Sequence, residues 1–204
     1  MGGWCGNLSA VSPRKRLAAL AVLLVALVVV ALVVARPKSS TPHSVHLSTS
    51  AVSSALAGSP PALASLHTQS NQLLAGGTAA FKARLKALRG HPVVVNEWAS
   101  WCEPCQSEFP VFQRVSVTFG RRVAFIGLDS RDTNAAAGDF LRRFPVSYPS
   151  YVDPSQSIGR SLQAVGGVPQ TVYINSKGTQ VFDHAGPYES AKALETDIRR
   201  YVLQ

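Results

Sequence analysis

"VVVNEWASWCEPCQSEFP", residues 93–110, carries two kinds of pattern side by side. The apolar run from Pro92 to Trp98 reads as a buried strand. A helix is expected from about 103 to 119, where Phe109, Phe112, Val115 and Phe119 keep helical spacing and Pro110 interrupts the stretch. Between strand and helix stand Cys102 and Cys105, separated by Glu103 and Pro104. These thiols could bind metal, lock a structure or exchange electrons.

Zinc needs about four ligands. Only Cys5 remains among the cysteines, far upstream, and His67, His91 and His184 form no ligand pair. No metal and no cofactor is therefore expected. A structural disulfide across so short a loop removes little entropy from the unfolded chain. Redox chemistry suits the spacing. A thiol at a helix start faces unpaired backbone N–H groups and the positive end of the dipole, which favour thiolate, so Cys102 is the expected attacking sulfur. Cys105 lies one turn inward and suits the resolving role. Pro104 is tolerated in the first turn because the N–H it lacks has no intrahelical partner there. Glu103 is either a solvated first-turn acid or a modulator of Cys102. Glu97 stands inside an apolar strand, where a charge is costly unless paired or protonated. A raised pKa and proton handling for the thiols are expected of it.

Outward from this stretch, the 204-residue chain has room for one domain and appendages. Leu17–Ala35 is apolar throughout, 19 residues, long enough to cross a bilayer, with Arg14, Lys15 and Arg16 before it. The expected organisation is a short cytoplasmic terminus (1–16), a transmembrane signal anchor (17–35), a flexible Ser/Pro/Ala-rich linker (36–62) and a folded domain (63–204). A cleaved signal peptide is the rival, with Val33 and Ala35 as a weak cleavage site before an unfavourable Arg36-Pro37. Cys5 reads as an incidental thiol. His43 and His46 have no further ligand nearby. Of the net charge of +9, five basic residues and no acids fall in 1–59, leaving 15 basic against 11 acidic residues in the remainder. The basic balance thus belongs largely to membrane topology, and no nucleic-acid partner is expected.

Within the domain, Phe81, Leu85 and Leu88 mark a helix ended by Gly90. Residues 122–129 read as a second buried strand, and Phe140, Leu141 and Phe144 as another helix. "YPSYVD" suits a short edge strand, and Ile158, Leu162 and Val165 a short helix. Residues 170–186 read as an antiparallel hairpin around Ser176-Lys177-Gly178. Ala191, Leu194, Ile198 and Tyr201 line a C-terminal helix. Alternation of this kind indicates an α/β fold with a central mixed sheet flanked by helices.

With those residues in hand, the chain resembles the thioredoxin superfamily, and more narrowly the membrane-anchored thiol-disulfide oxidoreductases of the TlpA/ResA/CcmG (DsbE) type. The opening stretch matches that family's strand, active-site turn and helix. "GGVPQTVYINSKG", 166–178, matches its second signature, and "FDHAG", 182–186, the strand after it. The resemblance covers roughly 63–204. It implies a cis-proline at Pro169, after Val168, facing the cysteines beside Trp101, and an insert of one strand and one helix within 129–165. Many relatives have an aromatic residue at Glu97 and an acid at Gln170 or Asn175. Thioredoxins proper have an acid at Asn96.

The resemblance implies a single-pass membrane protein with an extracytoplasmic catalytic domain. Its expected partners are protein disulfide substrates, apocytochrome c the first candidate, and a membrane electron donor of thiol type. An oxidase that forms disulfides in exported proteins would use the same residues with the opposite poise. A copper-binding assembly factor would space its cysteines C-x-x-x-C, and a peroxidase would place Pro and Thr before a lone cysteine. The sequence has neither pattern.

Overall fold

The computed structural model describes residues 48–204. The expected cytoplasmic terminus, the anchor and residues 36–47 of the expected linker lie outside them. Among the described residues no helix is long and apolar enough to cross a membrane.

Six strands form one mixed sheet: β1 (Leu73–Leu74), β2 (Val93–Trp98), β3 (Ala124–Ser130), β4 (Ser150–Asp153), β5 (Gln170–Ile174) and β6 (Gln180–Ala185), in the order β1-β4-β3-β2-β5-β6. The first four run parallel and are joined through helices. β5 pairs antiparallel with β2, and β6 with β5. Among the described residues seven helices flank it: α1 (Thr49–Leu56), α2 (Pro61–His67), α3 (Gly77–Ala87), α4 (Glu103–Phe119), α5 (Asn134–Arg143), α6 (Ser157–Ser161) and α7 (Ala191–Tyr201). Residues 129–165, the expected insert, hold α5, β4 and α6.

Strand alternation sorts side chains onto two cores. Val94 and Trp98 of β2 join Phe125 and Tyr173 on one face, covered by Phe109, Phe112, Val115 and Phe119 of α4, Phe140 of α5, and Leu194 and Ile198 of α7. Val93 and Val95 join Ile126, Leu128 and Val172 on the other, under Leu63 and Leu66 of α2, Phe81 of α3 and Ile158 of α6. Trp98 is fully buried between the rings of Phe109 and Phe140, at 5.1 and 4.7 Å, and its indole N–H donates to Ser150 Oγ at 3.2 Å. The indole and Ser150 sit against Gly127. A Cβ on Gly127 would lie 2.0 Å from Ser150 Oγ and 2.9 Å from Trp98 Nε1, so only glycine fits there.

Three expectations change. The linker reading fails from residue 49 onward, where α1 forms. Ser48 caps α1 by accepting from Ala51 N–H, and Leu56 is buried over Gly120, where a Cβ would come within 2.7 Å of Leu56 Cδ2. Residues 148–153 are not a sheet edge, because the two-residue β1 pairs alongside β4. α4 continues through Pro110, held by its buried apolar face, although the ring removes one hydrogen bond.

Candidate active site

β2 carries the chain to the cysteines. After Trp98 it turns through Ala99, Ser100 and Trp101. Cys102 is the N-cap of α4, with extended backbone (φ −89°, ψ 105°), and its Sγ accepts the Cys105 N–H at 3.2 Å. A disulfide joins Cys102 and Cys105. Cys105 is fully buried, whereas Cys102 keeps 4% of its surface exposed. Glu103 and Pro104 occupy the first two helical positions and are exposed.

The turn is held from the side by the loop after β3. Asp132 Oδ2 accepts the Ser100 N–H at 2.5 Å, and its other oxygen accepts the Thr133 N–H at 2.7 Å. The Arg131 carbonyl accepts from the Trp101 indole at 3.1 Å, and its guanidinium lies 5.4 Å from that ring's centroid. Trp101 therefore stands fixed in direction yet 55% exposed beside the cysteines.

On the opposite side, the Val168–Pro169 bond is cis. Val168 packs against the core that contains Cys102 and Cys105. The Pro169 carbonyl accepts the Gly186 N–H at 3.0 Å, tying the start of β5 to the end of β6.

The buried carboxyls are arranged differently from the sequence expectation. Glu97 alternates away from Trp98, so it sits on the sheet face opposite the thiols, next to Gly159, Ser130 and Gln156. It is buried, and neither carboxyl oxygen has a hydrogen-bond partner. Burial pushes its pKa up and Asp153 adds to this, while Ser130, Gln156 and Arg131 pull it back. The structure does not bring Glu97 to the sulfurs.

Glu108, in contrast, lies on the thiol side of the sheet, bonded to Asn96 on the same face of β2 as Trp98. It lies three residues after Cys105, hence on the same side of α4. It is fully buried; Oε1 accepts from Asn96 Nδ2 at 2.7 Å and Oε2 from the Tyr188 N–H at 3.1 Å. Burial outweighs both bonds and pushes its pKa up to about 8. Asp129, at the end of β3, is likewise pushed up to about 8, first by burial and then by Asp132 and Asp153. Sequence reasoning passed over Glu108, although an acid at i+3 from Cys105 on an apolar helical face was the available signal. Asp132 and Arg131 left no such signal, because they reach the site through the fold.

Among the described residues, no group of three or more His, Cys, Asp or Glu is placed to hold a metal ion. A capped, partly reachable sulfur, a buried second sulfur and a buried acid behind them can exchange one disulfide for another.

A family model described as the AhpC/TSA family matches residues 72–181, more than half of the chain. The chain belongs to this family. It is 31% identical over 101 residues to the thiol-disulfide oxidoreductase ResA of Bacillus thuringiensis (strain Al Hakam), covering 49% of this chain and 58% of that protein. It is 37% identical over 92 residues to the thiol:disulfide interchange protein DsbE of Pseudomonas fluorescens biotype C, covering 45% and 49%. The match thus spans about half the length of these relatives. Among solved structures, MTB dsbF in its mixed oxidized and reduced forms superposes with a TM-score of 0.52 at 26% identity, over 56% of this chain and 84% of that one. The thioredoxin-like α/β fold of the AhpC/TSA family is therefore that of residues 72–181 and their surroundings.

Proposed function

We propose that the domain is a thiol-disulfide oxidoreductase that reduces disulfides in proteins of the cell envelope. The observation that carries this reading is the pairing of a cap-position Cys102, its sulfur at the helix start, with a fully buried Cys105 one turn inside. In the reduced domain the Cys102 thiolate attacks one sulfur of a substrate disulfide. That S–S bond breaks, and the leaving sulfur departs as a thiolate and takes a proton. Cys105 then loses its proton and attacks Cys102 Sγ. The mixed disulfide breaks, the second substrate sulfur leaves, and two electrons have passed to the substrate. The domain is left with the Cys102–Cys105 disulfide, and a membrane donor of thiol type restores the dithiol. Trp101 and Val168 flank the exchanging sulfurs as contact surface. The resemblance to ResA and DsbE supports this reaction, and apocytochrome c is the first substrate to try.

Alkylation of the reduced protein at mildly acidic pH, read by peptide mapping, should modify Cys102 at least about ten times faster than Cys105. Equal rates, or faster labelling of Cys105, would remove the assignment of roles.

The same proposal places the catalytic domain outside the cytoplasm on an uncleaved anchor at Leu17–Ala35. The length of that run and the basic residues before it support this. Protein from the membrane fraction should retain the peptide spanning Leu17. A new terminus near Arg36 would show a cleaved signal instead.

A further inference from the structure

On the sheet face away from the thiols, at the end nearest the cysteine turn, buried oxygens collect without partners. Both oxygens of Glu97, the Oε1 of Gln170 and the Oγ of Ser130 lack one. Such groups are costly, and a cluster of them asks for a missing hydrogen. Glu97 and Gln170 stand directly opposite each other in the antiparallel β2–β5 pair. Opposed residues there have Cβ atoms about 4.5–5.5 Å apart, so the two heads are within reach.

Gly159 of α6 closes the chamber, where a Cβ would lie 3.2 Å from Glu97 Oε1. The charged groups facing Glu97 are Asp153 from β4 and Arg131 from the loop after β3. Asp153 is already occupied by the N–H groups of Ile158 and Gly159 and the Ser157 hydroxyl. Arg131 is exposed and lies over Trp101. The Ser130 hydroxyl and the Gln156 side chain lie near Glu97 and temper its shift, but neither makes a hydrogen bond to either Glu97 oxygen, and Gln170 Oε1 likewise has no donor.

We propose that Glu97 carries a proton and donates it to Gln170 Oε1, forming a neutral cross-strand tie that fixes the start of β5 and with it the Val168–Pro169 segment beside the cysteines. Glu97 is then a positioning residue, acting through the segment whose Val168 packs against the core that contains Cys102 and Cys105. The direction of its pKa shift agrees, since burial favours the neutral acid. Ionisation breaks the tie and leaves a buried charge, so the segment 163–170 loosens as pH rises. The segment's importance for turnover rests on the reading of the cysteine site given above; the tie itself does not.

The test uses the oxidised full chain and needs no substrate. Amide hydrogen exchange of residues 163–170, corrected for intrinsic rates, should quicken about tenfold or more as the medium is taken from acidic, with Glu97 protonated, to alkaline, with Glu97 ionised. Glu97→Gln, whose amide donates at every pH, should keep the protection throughout. Gln170→Ala should lose it at every pH and lower the pH at which Glu97 ionises. An infrared difference spectrum, parent against Glu97→Gln, should contain a protonated carboxyl band that persists to higher pH than that of an ordinary glutamate. The rival arrangement, with Gln170 turned to offer its amide to an ionised Glu97, gives a carboxylate band instead and overturns the proposal. Identical exchange profiles in parent and Glu97→Gln would also overturn it. Should Glu97→Gln fail to fold, the Gln170→Ala exchange profile and its shift of the carboxyl band decide the matter. Failure of the Cys102 alkylation result would leave these readouts untouched.

Discussion

Cys105→Ser is expected to cut turnover by about three orders of magnitude or more while the protein accumulates as a covalent mixed disulfide through Cys102. The serine oxygen fits the buried site but does not displace sulfur from sulfur at neutral pH, so the second exchange stops. Cys102→Ser should lose the same activity and trap nothing, because the sulfur left behind is fully buried. The substitutions should leave the fold standing. Closing a loop between residues three apart contributes about 2 kcal/mol by chain entropy, a part of a typical domain's stability. Non-reducing gels and mass spectrometry of envelope extracts, compared between the two variants, measure this directly. Trapping through Cys105, or equal trapping by both variants, would contradict the proposed order of attack. The captured proteins would also name the substrate.

Glu108→Gln should change the pH dependence of both stability and thiol reactivity. The Glu108 carboxyl, raised by burial to about 8, starts from an ordinary value of 4.5. Below 4.5 folded and unfolded chains both hold the proton, and its contribution to stability is fully present. Between 4.5 and about 8 the unfolded chain releases the proton and the folded chain does not, so stability is lost as pH rises. The loss attributable to Glu108 is about 3–5 kcal/mol. Asp129 acts in the same direction, so the parent's decline is only partly flattened in the variant. The glutamine cannot accept from both the Asn96 amide and the Tyr188 N–H, which costs about 1 kcal/mol near pH 5. The parent is therefore the more stable below that range and the variant above pH 8. Denaturant unfolding of the oxidised proteins across this range tests the crossing. In the reduced proteins, alkylation of Cys102 should show an inflection near pH 8 in the parent, as a carboxylate forms one turn from Cys105, and none in the variant. Parallel stability curves would mean that Glu108 is already ionised below neutrality.

Much of this was readable in the chain. The apolar run at Val93–Val95, the spacing of Phe109, Phe112, Val115 and Phe119, and the turn at Ser176-Lys177-Gly178 each impose a period that neighbouring residues alone reveal. What escaped depended on partners distant in sequence. A Ser- and Ala-rich stretch looks like a stalk until Leu56 is seen over Gly120. The strand at Ser150–Asp153 looks like an edge until Leu73–Leu74 is laid beside it. Glu97 and Glu108 show both situations. Alternation along β2 sets Glu97 opposite to Trp98, so its distance from the thiols was implicit in the strand period. The spacing of Glu108 from Cys105 on an apolar helical face was a local signal, but its partners, Asn96 and the Tyr188 N–H, come from other parts of the chain and no local pattern contains them.

Pro110 has a mechanical consequence. Lacking an N–H, it leaves the Gln106 carbonyl without its usual donor one turn further on, within the first half of α4. α4 is thus a jointed rod. Its far segment, from Val111 to Phe119, is clamped against α7 by Phe112, Val115 and Phe119. The near segment, with Cys105 and Glu108, meets the joint and not an unbroken ladder. When the S–S bond opens and the sulfurs separate, the near segment can yield at the joint without levering the clamped half out of its seat.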